Sequence, residues 1–332
     1  MRRTVASLAA VLLAASIAAC GDGAEPGAPS GGATAARGLT LILDFTPNPV
    51  HAGIYVASER GLLADQGIEL EIREPGAATD SPRLLEAGRA DLAILDIQDL
   101  AIARERGLDL VGIGAIVQRP LAAVIAADRE RVGQPEDLAG ATVGVPGLPS
   151  DEAILNTVLA SGGIEPPGVE KVTIGFNAVA ALSGGEVDAA TAFWNAEGVQ
   201  LRELGVATRE FRVDEYGAPR YPELILATTR ELLGSDRDAI QATVTALAEG
   251  YAAVEADPDA ALDDLVAGVP GLERDAQLGQ MEALEGSFSP PLELDEAVLR
   301  DWAAWAAENA ITEAVPDVGA AFDFDIASHP SG

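Results

Sequence analysis

An α/β fold of two like lobes on mostly parallel sheets follows from three observations. Short apolar runs of strand length alternate with helical segments from Leu39 onward. The spacing L-x-x-G-x-x-D-x-A occurs twice, at Leu85, Gly88, Asp91, Ala93 and at Leu182, Gly185, Asp188, Ala190, each time with a glycine closing a helix before a strand. Two copies mean paired lobes rather than a solenoid. Two further strands read as crossings between the lobes: Leu121 to Ala127 leaves the first, and LILATT after Tyr221-Pro222-Glu223 returns to it. A chain of 332 residues has the length for this. The expected division is 1–20 leader, 21–38 linker, 39–121 plus 225–332 lobe one, and 122–224 lobe two.

The amino terminus, MRRTVASLAAVLLAASIAAC, has two arginines, an apolar segment from Val5 to Ala19 and a small-residue end, the pattern of an export signal. Ile17-Ala18-Ala19-Cys20 resembles a bacterial lipobox, whose cysteine is acylated and begins the mature chain; Cys20 is the only cysteine. Gly21 to Gly38 lacks apolar periodicity and reads as a flexible tether.

The body opens on LDFTPNPVHAGIYVA, residues 43–57. Leu39 to Leu43 forms a strand; prolines 47 and 49 each remove a backbone donor and stop the ladder, and a helix restarts near Ala52 and closes at Gly61. Asp44, Phe45, Asn48 and His51 therefore gather between a strand's carboxyl end and a helix's first turn, where open α/β sheets place ligands. They either hold a flat polar molecule or fill a buried turn.

Further along, Ile68 to Glu74 alternates as a strand, Ser81 caps a short helix, and Ala90 to Leu95 is a strand that delivers Asp96. Helix Ile97 to Arg106 and strand Leu110 to Val117 follow. In the second lobe Ala141 to Val145 is a strand, Ser150 or Asp151 caps a helix through Leu159, Val172 to Gly175 is a strand, and Asn177 is its exit residue. The repeat's second strand leads to Trp194 as the first leads to Asp96. After the returning strand the chain reads as helical, with Ser235 capping a run to about Val254. Trp302 and Trp305 lie three apart on one helix face, as core residues do. The tail from Pro316, with His329, reads as a loose end.

The formal charge of −32, and the small count of basic residues behind it, argue against nucleic acid or anionic lipid as a partner. No Cys/His cluster, HExxH, GxSxG or phosphate loop occurs, and the single lysine, Lys171, beside Glu170, suits a solvated face rather than Schiff-base chemistry. These absences favour binding over turnover, with no cofactor and no metal. A second informative stretch is FWNAEG: Trp194 offers a flat face, Asn195 an amide, and Glu197 either a carboxylate for an amidine-like edge or an exposed helix-start glutamate.

Several segments in order, DFTPNPVHAGIYVA, QRPLAAVI, GLPSDEAIL, IGFNAVAAL, EVDAATAFWNAEG and YPEL, resemble the substrate-binding lipoproteins of ABC importers that capture thiamine pyrimidine precursors, a family with riboflavin-binding relatives. The wider superfamily includes nitrate, sulfonate and taurine binders and a eukaryotic pyrimidine synthase. The resemblance implies a type II periplasmic binding protein fold, with two crossing strands as hinge and the ligand between the lobes. It implies a monomer, held at the membrane only by its lipid, working with a permease and its ATPase. Carried over by position, it implies ligand contacts at Asn48, His51, Asn177, Trp194 and Glu197, with Phe45 standing where the family often has tryptophan. Asp44, Asp96, Gln118, Ser150, Asn195 and Tyr221 are further cleft candidates. The rival ligands are riboflavin or an anion, and the rival classes a synthase or a structural lipoprotein.

Overall fold

The computed structural model describes residues 36–76, 81–127 and 132–327. The leader, Cys20 and most of the tether lie outside the described residues, as does His329. Among the described residues, ten strands build two sheets. β1 (Arg37–Ile42), β2 (Ile68–Arg73), β3 (Leu92–Asp96) and β4 (Leu110–Ala115) begin the first. β5 (Ala122–Ala127), β6 (Thr142–Val145), β7 (Glu170–Thr173), β8 (Ala189–Phe193) and β9 (Thr208–Arg212) make the second, and β10 (Leu224–Thr229) returns to the first. The orders are β2-β1-β3-β10-β4 and β7-β6-β8-β5-β9.

In each sheet four strands run one way and a single strand opposes them. β10 is antiparallel to β3 and β4, and β5 is antiparallel to β8 and β9, while the other pairings are parallel. The reversed strands are the two crossings. A chain arriving from the other sheet enters at the edge where the remaining strands end, so it must run backwards. This is why the sheets, expected to be mostly parallel, are mixed.

The duplicated motif is a structural repeat. Asp91 accepts from the Thr40 amide at 2.8 Å, and its own amide donates to the Thr40 carbonyl at 2.9 Å. Asp188 does the same with Thr142, at 2.9 and 2.8 Å. Gly88 and Gly185 both take positive φ, 63° and 70°, where a side chain would strain the helix end. Each aspartate thus locks the incoming strand to the centre of its sheet. In this register the strand after Asp91 ends at Asp96 and the strand after Asp188 ends at Phe193, one residue before the expected Trp194.

Helices cover the sheets: α1 (Ala52–Glu59), α2 (Leu62–Asp65), α3 (Ser81–Glu86) and α4 (Ile97–Glu105) in the first half, then α5 (Pro149–Ser161), α6 (Ala178–Ser183) and α7 (Glu197–Glu203) in the second. After β10 come α8 (Arg230–Ser235), α9 (Arg237–Ala256), α10 (Pro258–Gly268), α11 (Arg274–Ala283), α12 (Glu296–Glu308), α13 (Val318–Ala321) and α14 (Phe324–Ala327). None of the described helices is long and apolar enough to cross a membrane. α9 presses on α1 at backbone distance. A Cβ on Gly250 would stand 2.1 Å from the Gly53 carbonyl oxygen, and one on Gly53 would strike the Tyr251 ring at 2.4 Å. Tyr251 then donates its hydroxyl to the Val50 carbonyl at 2.8 Å, so the long helix fixes the corner that follows β1.

Four boundaries differ from expectation. β1 starts at Arg37, inside the expected tether, where Arg37 pairs with Asp236 at 2.6 Å. Ser235 ends α8, with its hydroxyl turned back to the Glu231 carbonyl, and Asp236 precedes α9. β9, written TREFR, was hidden by its charges; it is an edge strand with only Phe211 fully buried. The described part of the tail, 316–327, is anchored rather than loose: Phe322 bridges to Gly112 and meets the Trp302 ring edge-on, and Ile326 is buried. Trp302 and Trp305 are core residues, as expected.

Candidate functional site

A cavity of about 340 Å³ draws its walls from the strand ends of both sheets and from the two crossings. The corner after β1 supplies its first wall. Pro49–His51 forms one 3-10 turn, entered through Asn48, whose Oδ1 accepts from the Val50 amide at 3.0 Å. Its Nδ2 donates to the Thr46 carbonyl, and its backbone amide donates to His51 Nδ1 at 3.2 Å. That bond makes Nδ1 the acceptor, so Nε2 carries the hydrogen and donates it to Asp44 Oδ1 at 2.7 Å. His51 is fully buried behind the wall. It positions Asp44, which reaches the cavity.

The crossings supply the floor. Glu223, buried just before β10, accepts through Oε2 from the Leu121 amide at 2.6 Å and the Ala122 amide at 3.1 Å, so one carboxylate oxygen ties the two crossings together. Gln118 stitches the first crossing to the loop before α12, donating to the Pro290 carbonyl at 2.7 Å and the Glu293 carbonyl at 2.9 Å. Trp194 sits behind the floor, donating its indole N–H to the Pro120 carbonyl at 3.0 Å, with the Arg212 guanidinium 4.1 Å and that of Arg119 5.4 Å from its ring centroid.

Six carboxylates line the cavity: Asp44, Asp96, Asp99, Asp151, Glu197 and Glu223, with no lysine, arginine or histidine among the lining residues. Desolvation raises five of them, Asp96, Asp99, Asp151, Glu197 and Glu223. It pushes Asp96 well above the ordinary carboxylate range, reinforced by Glu223, Asp99, Asp44 and Asp151. It lifts Glu223 to about 7 against the opposing Leu121 and Ala122 amide bonds, and Asp99 to about 6 against Arg106. It also raises Glu197, which accepts from the Phe193 amide at 3.0 Å. Several of these acids sit at helix amino ends: Asp96 and Asp99 at α4, Asp151 at α5 with the Gly147 and Leu148 amides, Glu197 at α7. The protein's own carboxylates therefore occupy the places where an anionic guest would bind.

Seven of the twelve expected contacts reach the lining: Asp44, Phe45, Asn48, Asp96, Ser150, Asn195 and Glu197. The other five do not. His51, Gln118 and Trp194 are structural for the reasons given. Tyr221 is buried against Trp305, rings stacked with centroids 5.4 Å apart. Asn177 is exposed and donates to the Ile174 carbonyl, closing the turn before α6. The aromatic faces from the second sheet are Phe193 and Phe176 instead; Phe176 is 68% exposed and Phe45 51%, unusual for large apolar side chains. Phe193 was legible, since the repeat register pairs it with Asp96. Gln98, Thr191 and Glu223 also line the cavity and carried no sequence signal of their own.

The NMT1/THI5 like family matches residues 48–261. The formylaminopyrimidine-binding protein of Halalkalibacterium halodurans is 32% identical over 69% of this chain and 69% of its own. A yeast protein, the 4-amino-5-hydroxymethyl-2-methylpyrimidine phosphate synthase THI5 of Saccharomyces cerevisiae, is 22% identical over 80% of each chain. Among solved structures, the periplasmic aliphatic sulphonate binding protein SsuA from Escherichia coli superimposes with a TM-score of 0.69 at 17% identity, covering 86% of this chain and 91% of that one. That likeness is of fold alone. Two five-stranded sheets of periplasmic binding protein type, together with these matches, make the chain a member of the NMT1/THI5 like family.

Proposed function

We propose that this chain is the extracytoplasmic solute-binding component of an ABC importer and captures an aminopyrimidine of the thiamine-precursor class. The observation that carries the reading is the acidic cavity, six carboxylates and no cationic side chain in its lining. A sulfonate or nitrate would find no cationic partner there, whereas a ring bearing amino and amidine-type N–H groups finds carboxyl oxygens as acceptors. Phe45 from one side and Phe176 and Phe193 from the other offer ring faces, and Glu197 reads the donor edge. Ligand touching both walls favours the closed arrangement, which a permease then recognises. The relative named for formylaminopyrimidine supports the ligand class.

The protein hands its solute on unchanged. Its lone lysine, Lys171, is at the surface with Glu152 at 2.6 Å, and His51 is committed to Asp44, so neither a lysine nor a histidine lines the cavity. Incubation with pyridoxal phosphate and iron yields no pyrimidine. Cys20 carries the lipid; Cys20→Ala moves the chain from the membrane to the aqueous fraction. Native mass spectrometry of the protein from its own cells tests the ligand: an aminopyrimidine mass supports the reading, and a sulfonate or flavin mass overturns it.

A further inference from the structure

Besides the two crossings, one more segment joins the halves of the molecule. α11 packs on the Pro49–His51 turn of the first half and on α7 of the second. The second contact is made through a glycine: a Cβ on Gly279 would stand 2.9 Å from Val199 Cγ1 and 2.7 Å from Glu203 Oε1. Glu203 can swing aside, but Val199 is buried, so a side chain at 279 drives α11 and α7 apart. A single apolar cluster takes in Met281 and Leu284 from this segment and Leu201 and Trp194 from the second half. Beyond α11 the chain is fastened to the first crossing. The Gln118 amide donates to the Ser287 carbonyl at 2.7 Å, beside the bonds of its side chain to Pro290 and Glu293. Leu292, buried, sits at φ 57° while the Ala115 amide reaches its carbonyl at 3.3 Å. A leucine is strained in that left-handed region, so its surroundings hold the loop to this course. Residues 274–294 thus run as a strap from the first crossing to α7, the helix that begins at Glu197.

We propose that this strap is a latch: the seam of Gly279 on Val199 closes outside the cavity when the halves close on a solute, and parts before the solute enters or leaves. Val199 and Glu197 belong to one short helix, so the seam fixes where Glu197 stands relative to the first half. Neither Gly279 nor Val199 lines the cavity. Gly279 is therefore a positioning residue, acting on the fraction of the protein that is ready to bind. Measured affinity scales with that fraction. The latch rests on the two-walled closure of the proposed function and is independent of which solute is held.

Spin labels on Glu86→Cys in the first half and Glu165→Cys in the second, both exposed, report the separation of the halves by double electron–electron resonance. The Cys20→Ala chain is used, so that only the introduced sulfurs react. With no solute added, Gly279→Leu shifts the distances towards longer separation, and calorimetry with 4-amino-2-methylpyrimidine reads binding weakened by about 10-fold, as a tenfold smaller competent fraction requires. Gly279→Ala moves both readouts the same way by less, and it decides should the leucine variant fail to melt cooperatively. Gly268→Ala is the control: its Cβ would meet Tyr55 Cδ1 at 2.6 Å inside the first half, so it lowers Tm and leaves separation and affinity unchanged. A folded Gly279 variant with wild-type separation, or one with shifted separation and unchanged affinity, overturns the latch. If the separation shifts but the pyrimidine fails to bind even the wild type, the latch stands and the aminopyrimidine reading falls.

Discussion

Glu223→Gln turns the hinge carboxylate into a measurable pH response. In the folded chain burial lifts Glu223 from 4.5 to about 7, with Asp214 adding to the shift and the Leu121 and Ala122 amides opposing it. In the unfolded chain it titrates near the ordinary glutamate value. Between those values the folded protein holds a proton that the unfolded chain has released, so stability falls as pH rises through that window and levels off above it. At 1.36 kcal/mol per pKa unit, the loss attributable to this group is about 3 kcal/mol. Glutamine retains an oxygen for both amides and does not ionise. The variant should match wild type near pH 4.5 and exceed it by up to about 3 kcal/mol at pH 8, measured by urea unfolding at both pH values. Asp99 titrates in both proteins, while Asp96 loses the charge of Glu223 in the variant, so the difference between the two curves reports Glu223 together with its coupling to Asp96. A variant that is less stable than wild type at pH 8, or a difference that does not grow with pH, refutes the assignment.

Glu197→Gln removes the charged acceptor for an amidine-type edge and should weaken an aminopyrimidine by about 10-fold to 100-fold while hardly changing any residual affinity for taurine; calorimetry with both reads this. Trp194→Phe loses the bond to the Pro120 carbonyl and part of the packing between two guanidinium groups, and should cost about 1–2 kcal/mol in urea unfolding with pyrimidine affinity retained. Its neighbour differs in touching the guest as well: Phe193→Ala should cost about 1–3 kcal/mol of stability, because the half-buried ring packs on both hydrophobic clusters, and also lower ligand affinity by about 1–2 kcal/mol. Gly250→Ala drives a methyl group onto the Gly53 carbonyl and should destabilise the chain by about 1–3 kcal/mol, seen as a lowered Tm.

The corner at Asp44 to His51 was legible because two prolines between an apolar run and a helical pattern leave the chain few alternatives. The sequence could not tell which of its polar residues face the guest. His51 is spent on the Asn48 amide and on Asp44, while Asn48 and Asp44 reach the lining, a division that only atomic distances reveal. The duplicated L-x-x-G-x-x-D-x-A motif held as a repeat because each aspartate makes the same two bonds to a neighbouring strand. Followed residue by residue, it marks Phe193 as the counterpart of Asp96. Chemical expectation favoured the larger ring of Trp194, whose indole N–H instead needs the Pro120 carbonyl in the core. β9 and the anchored tail were missed because local charge and a run of small residues conceal strands and helices whose stability comes from contacts distant in sequence.

Thermal unfolding of the intact chain with each of an aminopyrimidine thiamine precursor, riboflavin and taurine tests most directly whether the acidic cavity selects a nitrogen-rich ring. The aminopyrimidine should raise Tm, in step with about 2.7 kcal/mol of stabilisation at 100 times its Kd, and taurine should leave the transition where it was. Stabilisation by taurine without any response to the aminopyrimidine would contradict the account.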